Sequence, residues 1–587
     1  MQASKSSYSL SMRFFRGLKI GAFFAALHFT MDLIGATLAI GFLFDPTLAS
    51  TILVLIAFLI SLTLGACLGA IVGIVTPAKV WNLKPPRRGL MTGLILVALS
   101  ITLLSYNLRA KRQAPTLAKR SAQSGRAHLE SPPPILWVIM DTLRADTLYG
   151  PLIDFPLAPN LGQFAQNAIT FKDAESSSGW TIPAMATMLT GIHNTTTDAS
   201  SGILPLWVKT LPEYLYDAGY STHALVDNVI VEPRAGFAQG FETYFQRSGF
   251  RFAFSLPTFR LMPEKLHHLL REALVTSYYG APRLTNRAID VIAQPHTQPL
   301  FLYVHYMDPH APYHPHPEIS PDPPTSEPVD YYVWRDILRK DVEDRPSPGQ
   351  TQRLKHRYDN EIIYMDKAIG RLLKAWHEQF GENGLIIFTS DHGEEFLDHG
   401  HLGHGHTVHR EMVNVPLMMR FPDKDAQKFG QPATVDKPVS QIDLLPSMLD
   451  YLGLQAERTP ERPLIQGKSF LAQLQGQAPW GNQPIIASHG RHGRRTYRYR
   501  VEDTVYIKTM FYDKRPTTKE LYELKSDPRE QKNLIADKEF LQAINFQEFT
   551  KQFENTARAL VQKGKTHVDK SREDQNIESL RALGYIH

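Results

Sequence analysis

The chain has 587 residues, of which 43% are hydrophobic and 21% are charged, and its formal net charge is +5. This length predicts two or three folding units, and the single cysteine, Cys67, excludes an intrachain disulfide. The charge is weak for so long a chain and no compact basic stretch carries interleaved aromatic residues, so we expect no nucleic-acid partner.

Three long apolar runs open the chain, at about residues 20–44, 48–75 and 89–106. Each is near or above the roughly 18–20 residues that cross a bilayer as a helix. A secretory signal peptide is the competing interpretation of the first run, but its apolar core would be shorter and a small-residue cleavage site would follow. The pattern predicts a membrane domain with three transmembrane helices over residues 1–107.

The basic residues beside these runs predict their orientation. Four precede the first run, four lie between the second and third runs, and none lies between the first and second. This pattern places the N terminus and the second loop in the cytoplasm. It predicts a multi-pass protein of the cell (inner) membrane, with the rest of the chain on the periplasmic or extracellular side.

Residues 108–133 are basic, end near three prolines and predict a linker. The apolar run at 135–140 is typical of a strand buried on both faces of a parallel sheet, and strands are also expected at 300–305 and 385–389. Helices are expected at 211–218 and 357–380. This alternation predicts an α/β fold, with a mostly parallel sheet flanked by helices.

The last hundred residues have a different pattern. Residues 497–508 alternate like one strand and are rich in arginine and tyrosine. The sequence therefore predicts a catalytic domain over residues 134–485 and a smaller C-terminal α+β subdomain over residues 486–587.

Polar side chains follow two of the predicted buried strands. Asp141 ends the first strand, and Asp391 and His392 follow the strand at 385–389. Functional groups gather beyond the carboxyl ends of parallel strands, so these three can converge on one divalent metal ion, with Thr181 completing the ligand set. Oxygen and imidazole ligands favour Zn²⁺ or Mn²⁺, and Mg²⁺ or Ca²⁺ remain alternatives. Either aspartate taken alone could equally be a helix cap or a turn residue.

Histidines form a second group. Five lie within eleven positions of a glycine-rich loop, and His404 and His406 are candidates to bind the substrate, although the loop could equally be solvated. His310 follows the strand at 300–305 and is a candidate to contact the transferred group. Asn228 is a weaker candidate for a polar contact with substrate, and for His305 a structural role is at least as expected.

The segment from Trp180 to Gly191 resembles the active-site signature of sulfatases, Cys-x-Pro-x-Arg followed by Leu-Thr-Gly. Pro183 and the Leu-Thr-Gly ending match, whereas Thr181 replaces the cysteine and Met185 the arginine. The chain resembles the sulfatase-like branch of the alkaline phosphatase superfamily from about residue 134 to its end. Further matching segments are Asp141–Arg144, Asp391–Glu394, Val415–Leu417, Gln441–Pro446 and Leu521–Pro528.

The departures from the family pattern are informative. Sulfatases convert the signature cysteine or serine to formylglycine, which threonine cannot form. Thr142 stands where the family has a second consecutive aspartate, and His404 or His406 occupies the neighbourhood of a lysine that sulfatases use. These departures favour the resemblance to relatives with a threonine nucleophile, namely phosphoethanolamine transferases, phosphoglycerol transferases and phosphonate or phosphodiester hydrolases.

That resemblance implies a metal-dependent hydrolase or transferase in which Thr181 is the nucleophile. Its expected substrates are phosphodiester or phosphoester groups of envelope lipids or glycans, with membrane lipid as a partner. His310, with His404 or His406, would hold phosphoryl oxygens or protonate the leaving group. The alternatives are a hydrolase of sulfuric or other esters and a non-catalytic binding protein on the same fold.

Overall fold

The computed structural model describes most of the chain after residue 130. The described residues are 131–150, 152–199, 202–246, 280–323, 346–456, 465–491 and 493–565. They belong to one compact unit, Leu117–Arg247 with Gly280–His587.

The described residues contain a large mixed sheet, a two-stranded hairpin and a separate four-stranded sheet. Their strands are β1 (Ile135–Met140), β2 (Ile169–Glu175), β3 (Ser221–Val226), β4 (Thr243–Gln246), β5 (Leu300–Tyr306), β6 (Leu385–Thr389), β7 (Glu395–Phe396), β8 (Leu402–Gly403), β9 (Asn414–Arg420), β10 (Ala433–Val435), β11 (Val439–Ser440), β12 (Ile485–Arg491), β13 (Arg494–Val501), β14 (Thr504–Phe511) and β15 (Thr518–Glu523).

The nine-stranded sheet has the order β10-β2-β9-β6-β1-β5-β3-β4, and β11 pairs with β2. Within it, β9 alone runs antiparallel to its neighbours, β2 and β6. The central strand β1 pairs in parallel with β5 and β6, so that Ile135 lies opposite both Phe301 and Leu385. The predicted α/β fold with a mostly parallel sheet is confirmed.

Helices connect the strands and cover the large sheet. Their bounds are α1 (Ala145–Tyr149), α2 (Pro159–Ala165), α3 (Thr181–Thr190), α4 (Asn194–Thr197), α5 (Leu211–Asp217), α6 (Ala281–Ile292), α7 (Pro348–Phe380), α8 (Arg410–Val413), α9 (Asp423–Ala426), α10 (Leu444–Tyr451), α11 (Leu471–Leu474), α12 (Lys538–Ala543) and α13 (Phe546–Lys565); single 3-10 turns lie at Pro233–Ala235, Gln427–Phe429 and Gln441–Asp443.

The two faces of β1 belong to different apolar cores. Ile135, Trp137 and Ile139 pack in one core with helices α3, α5 and α10. The alternate residues of the strand pack in a second core with α2, α6 and α7. All six residues of β1 are buried, which explains why its sequence is continuously apolar rather than alternating.

Helix α7 is longer than its sequence pattern predicts. It begins at Pro348, nine residues before the expected start. Ser347 caps it by accepting a hydrogen bond from the amide of Gln350, whose side chain in turn accepts from the amide of Ser347. A proline at the first position and this reciprocal cap stabilise a polar first turn that has no apolar periodicity to reveal it.

Strands β12 to β15 form an antiparallel meander. One face of this sheet packs on α13, where Phe553 contacts the rings of Tyr497, Tyr499 and Tyr506. The single strand expected at 497–508 is wrong, because the chain reverses between Val501 and Thr504. The turn residues are Glu502, which has a φ of +50°, and Asp503, so a single aspartate is the only turn signal between two strands that otherwise read as one.

A buried ionic cluster joins β13 to β2 of the large sheet. Glu175 on β2 accepts hydrogen bonds from Arg498 at 3.0 Å and from Arg500 at 2.6 Å. Arg498 also donates to Glu530 at 2.5 Å, and Arg500 pairs with Asp173. Although burial alone would raise it, the two arginines lower the pKa of Glu175 to about 2. The cluster therefore remains ionised in the protein interior.

Removing one cation from this cluster should destabilise the protein strongly. In Arg498→Met the buried carboxylates of Glu175 and Glu530 lose their shared partner, and we expect a loss of about 3–5 kcal/mol in the free energy of unfolding. Urea unfolding followed by circular dichroism measures this loss. Arg515→Met, which removes an exposed pair with Asp513, is the control and should not shift the midpoint. Equal unfolding midpoints for Arg498→Met and Arg515→Met would contradict a stabilising role for the buried ionic cluster.

The structure corrects the predicted membrane location. Among the residues that the structure describes, no helix combines the length and the hydropathy that crossing a bilayer requires. This finding contradicts the prediction of a multi-pass inner-membrane protein with its catalytic domain on the periplasmic or extracellular side. The three predicted spans, within residues 1–107, lie outside the described residues.

Candidate active site

The site lies where β1 and β6 end and α3 begins. Asp141 directly follows β1, and its amide donates to the carbonyl of Tyr306 on β5. Asp391 and His392 follow β6, which is adjacent to β1. Thr181 is the first residue of α3, after Trp180 in an extended conformation. All four predicted metal ligands are buried and lie at one edge of the large sheet, beyond the carboxyl ends of its parallel strands.

Each aspartate has one oxygen held by hydrogen bonds and one without a hydrogen-bond partner among the described residues, although Asp391 Oδ2 lies 3.4 Å from His392 Nε2. Asp141 Oδ2 accepts from Asn228 Nδ2 at 2.5 Å and from His305 Nε2 at 3.0 Å. Asp391 Oδ1 accepts from the amides of Thr142 at 3.2 Å and of His392 at 2.9 Å. Among the described residues, Asp141 Oδ1 and Asp391 Oδ2 are buried without a hydrogen-bond partner. Unpartnered buried carboxylate oxygens are what a cation site requires.

Thr142 holds a strained backbone in order to support this arrangement. Its φ of +60° lies in the left-handed region, which costs about 1–3 kcal/mol for a residue other than glycine. This conformation directs the amide of Thr142 to Asp391. Thr142, which stands where the family pattern has an aspartate, thus contributes a backbone N–H that donates a hydrogen bond to Asp391.

His392 presents one ring nitrogen to Thr181. Its Nδ1 lies 2.8 Å from the carbonyl oxygen of Gly393, which can only accept, so Nδ1 carries the proton. In the neutral ring the lone pair is then on Nε2, which lies 3.2 Å from the hydroxyl oxygen of Thr181. An imidazole fixed in this tautomer can accept the threonine proton or bind a metal ion.

The two aspartates titrate differently. Although burial raises it, the hydrogen bond from His305 and the nearby histidines bring the pKa of Asp141 well below its usual range. Burial and the neighbouring Asp141 carboxylate raise the pKa of Asp391. Two carboxylates this close repel each other, and a divalent cation between them would remove that repulsion.

The ligand atoms fit a metal ion. One atom from each of Asp141, Asp391 and His392 lies within 4.8 Å of the others. Two carboxylate oxygens and an imidazole nitrogen suit a divalent cation, and the Thr181 hydroxyl, which adjoins His392, offers a fourth potential ligand atom. The described residues of this site can therefore hold a divalent metal ion.

Two further histidines lie beside this group. The ring of His404 is 4.6 Å from that of His392 and 4.7 Å from that of His310, between centroids. Burial lowers the pKa of His310 to about 4, so its ring is neutral at neutral pH. Its Nδ1 donates to the carbonyl of Ala311 at 2.6 Å, which leaves the lone pair on Nε2. His404 therefore lies next to both His392 and His310, and the contact of His310 and His404 with a substrate at Thr181 stays a prediction.

The other two predicted substrate-binding residues make different contacts. His406 Nε2 lies 2.6 Å from Glu395 Oε2, and the ring neighbours His401 rather than His392. Asn228 uses its amide to hold Asp141. Both side chains are buried. Asn228 contacts the predicted metal ligand Asp141, and His406 belongs to a separate cluster with Glu395 and His401.

Two residues at the site, Glu394 and Arg491, were missed by the sequence interpretation, and a third, His305, for which a structural role was at least as expected, was not assigned a contact. His305 holds Asp141, and its Nδ1 lies 3.0 Å from the hydroxyl of Tyr303. Glu394 contacts His404 at 2.8 Å, and burial raises the pKa of Glu394 to about 7. Arg491 on β12 lies over the ring of Trp180, 4.5 Å from its centroid. Only the position of Glu394 beside Asp391 and His392 offered a local signal.

The loop that carries His404 lies against the segment that leads into Thr181. The amide of Gly405 donates to the carbonyl of Gly179 at 2.9 Å. A Cβ atom at Gly179 would lie 2.3 Å from the carbonyl oxygen of Thr407, so only glycine allows this approach. Gly179 and Gly405 thus allow the loop of His404 to pack directly against the segment that leads into Thr181.

Comparison with known families agrees with this geometry. The family model described as Sulfatase matches residues 133–454, more than half of the chain. The chain belongs to the sulfatase family. A second model of this kind, described as N-sulphoglucosamine sulphohydrolase, C-terminal, matches residues 398–559 and so includes the four-stranded sheet.

Curated sulfatase relatives match over much of their length. An uncharacterized sulfatase of Escherichia coli, YidJ, is 26% identical over 70% of this chain and 84% of its own. Human iduronate 2-sulfatase is 25% identical over 59% of this chain and 67% of its own. The multifunctional alkaline phosphatase superfamily protein PehA of Trinickia caryophylli is 25% identical over 58% of this chain and 76% of its own.

Solved structures of the family share the fold. The phosphonate monoester hydrolase of Agrobacterium radiobacter superposes with a TM-score of 0.55 at 19% identity, over 75% of this chain and 97% of its own. The phosphonate monoester hydrolase of Silicibacter pomeroyi superposes with a TM-score of 0.54 at 18% identity, over 73% of this chain and 96% of its own. The resemblance to the sulfatase-like branch of the alkaline phosphatase superfamily is confirmed, and the chain is a sulfatase-like hydrolase.

Proposed function

We propose that this sulfatase-family protein cleaves or transfers phosphodiester or phosphoester groups, with Thr181 as a metal-assisted nucleophile. One observation carries the proposal. Thr181 starts helix α3 with its hydroxyl 3.2 Å from His392 Nε2, beside the unpartnered oxygens of Asp141 and Asp391. The substrate class follows the resemblance, which implies a phosphoester of a lipid or glycan.

The residues around Thr181 argue against the sulfatase reaction of the family. A formylglycine needs a cysteine or serine precursor, and threonine is neither. Met185, where the signature has arginine, is fully buried in an apolar core beside the hydroxyl of Tyr303. The segment therefore lacks the cysteine and the arginine of the sulfatase signature but keeps a hydroxyl that can attack phosphorus.

The residues can perform a two-step displacement. Asp141, Asp391, His392 and the Thr181 oxygen would hold the cation, which would lower the pKa of the threonine hydroxyl and neutralise charge on the phosphoryl oxygens. Thr181 Oγ1 passes its proton to the lone pair on His310 Nε2 and forms a bond to phosphorus as the bond to the leaving oxygen breaks. His310 then gives that proton to the leaving oxygen, while His404 contacts a phosphoryl oxygen. Water or another hydroxyl then attacks the phosphothreonine, and its proton goes to Thr181 Oγ1 as the bond between that oxygen and phosphorus breaks.

The experiment that tests this function compares three aryl esters. The full chain, loaded with Zn²⁺ or Mn²⁺, is assayed against an aryl phosphodiester, an aryl phosphate monoester and an aryl sulfate with the same leaving group. We expect kcat/KM for at least one phosphate ester to exceed that for the sulfate by at least about 100-fold, because the site is built for phosphoryl transfer. A preference for the sulfate would instead favour a sulfuric ester hydrolase.

A further inference from the structure

A second cluster of metal-ligand side chains lies in the β7–β8 hairpin. Glu395 begins β7, while His401 immediately precedes β8 and His406 follows it. One potential ligand atom from each of these three residues lies within 4.8 Å of the others. The rings of His401 and His406 are 4.9 Å apart between centroids.

The potential ligand atoms of this cluster differ in their hydrogen-bond partners. Glu395 Oε1 accepts from the amides of His399 and His401, both at 2.8 Å, so the protein fixes this carboxylate. Its Oε2 faces His406 Nε2 at 2.6 Å. Among the described residues, His401 Nδ1 is buried without a hydrogen-bond partner, and it lies 4.0 Å from Glu395 Oε1.

The cluster can be reached by an ion from solvent. Glu395 and His406 are buried, whereas the side chain of His401 is 39% exposed, which gives an ion access from solvent.

We propose that Glu395, His401 and His406 bind a second divalent cation, Zn²⁺, separate from the ion at Thr181. Two imidazoles and one carboxylate are a preferred ligand set for zinc, with a water molecule in the fourth position. The ion takes the place of the direct contact between His406 Nε2 and Glu395 Oε2 and gives His401 Nδ1 the partner that it lacks.

This second site acts on the active site through the hairpin. His404 lies between His401 and His406 in the chain and is the loop residue whose ring neighbours His392. A cation that joins both ends of this segment to Glu395 restrains the loop and keeps His404 in place. The ion has a positioning role and does not contact the reacting atoms.

A neighbouring histidine cluster does not carry the same inference. His399, His409 and Glu411 also offer atoms within 4.8 Å. However, His399 already uses Nδ1 for Glu411 and Nε2 for the carbonyl of Glu530. His409 likewise contacts Thr407 and Glu520 through its two ring nitrogens. Only the cluster with His401 has an unpartnered buried ring nitrogen.

The test is the zinc content of the full chain after loading with Zn²⁺ and dialysis, measured by elemental analysis. We expect two ions per wild-type chain, one in His401→Gln, one in Asp391→Asn and none in the double variant. His377→Gln is the matched control, because it removes a histidine that pairs with Glu382 on an exposed helix end. The control should keep two ions, and circular dichroism verifies that each variant is folded.

The outcomes separate this proposal from that for the active site. If wild type and His401→Gln bind the same number of ions, or if Asp391→Asn binds none, the second site is refuted. The Asp391→Asn result decides the question even where His401→Gln does not fold. If Asp391→Asn matches wild type while His401→Gln loses one ion, the second site stands and the proposed active-site metal fails.

Discussion

Thr181→Ala is expected to lower kcat for phosphoester turnover by at least about 10³-fold, because it removes the proposed nucleophile and leaves the surrounding groups in place. The variant should fold normally, since Thr181 is the first residue of α3 and alanine is a good helix former. Steady-state turnover of the aryl ester that wild type prefers measures the effect. KM is expected to change much less than kcat.

Thr181→Ser is the matched control for that experiment. Serine keeps the hydroxyl that lies 3.2 Å from His392 and loses only the methyl group, so part of the activity should remain. Mass spectrometry of wild type quenched during turnover should show a phosphoryl adduct on Thr181, and Thr181→Ala should show none. Wild-type turnover by Thr181→Ala would refute the proposed mechanism.

Asp391→Asn is expected to abolish the response of activity to added metal. Asparagine conserves the shape of the side chain but removes the negative charge that would attract the cation. Substitution of a residue that only orients a metal ligand lowers metal affinity by about 10–100-fold. Loss of a ligand itself should therefore lower metal affinity by at least about 100-fold. The measurement is phosphoester turnover of metal-stripped protein during titration with Zn²⁺ or Mn²⁺.

Asn228→Ala supplies an intermediate case for this titration. Its amide holds Asp141 Oδ2 but offers no atom to the ion, so half-maximal activity should require about 10–100-fold more metal than in wild type. The metal concentration for half-maximal activity is therefore expected to be lowest for wild type, higher for Asn228→Ala and highest for Asp391→Asn. If Asp391→Asn responds to metal as wild type does, Asp391 does not bind the catalytic ion.

The sequence predicted the strands of the site because their signal is local. Strands β1 and β6 begin and end where expected, since each is a continuous apolar run beside polar residues. The ligands at their ends could be grouped because parallel strands end at one edge of a sheet. Thr181 was found through the family signature rather than through any periodicity.

The remaining features depend on distant contacts that leave no local pattern. His404 and His406 are two positions apart in a glycine-rich loop, yet one faces His392 and the other Glu395. Glycines at positive φ allow that loop to reverse, so strict alternation could not be assumed. The contact of Arg491 with Trp180 joins residues on β12 and before α3, and nothing near either position indicates it.

The ionic cluster between β2 and β13 limits how far the enzyme can be shortened. A truncated chain ending before β12 would expose Glu175 and Asp173, whose arginine partners on β13 would be gone. It would also uncover Val408 and Met412, which pack against the four-stranded sheet directly after the loop of His404. The minimal active fragment must therefore extend at least through β15 and Glu530, and a gene designed to encode only the large sheet should yield an insoluble product.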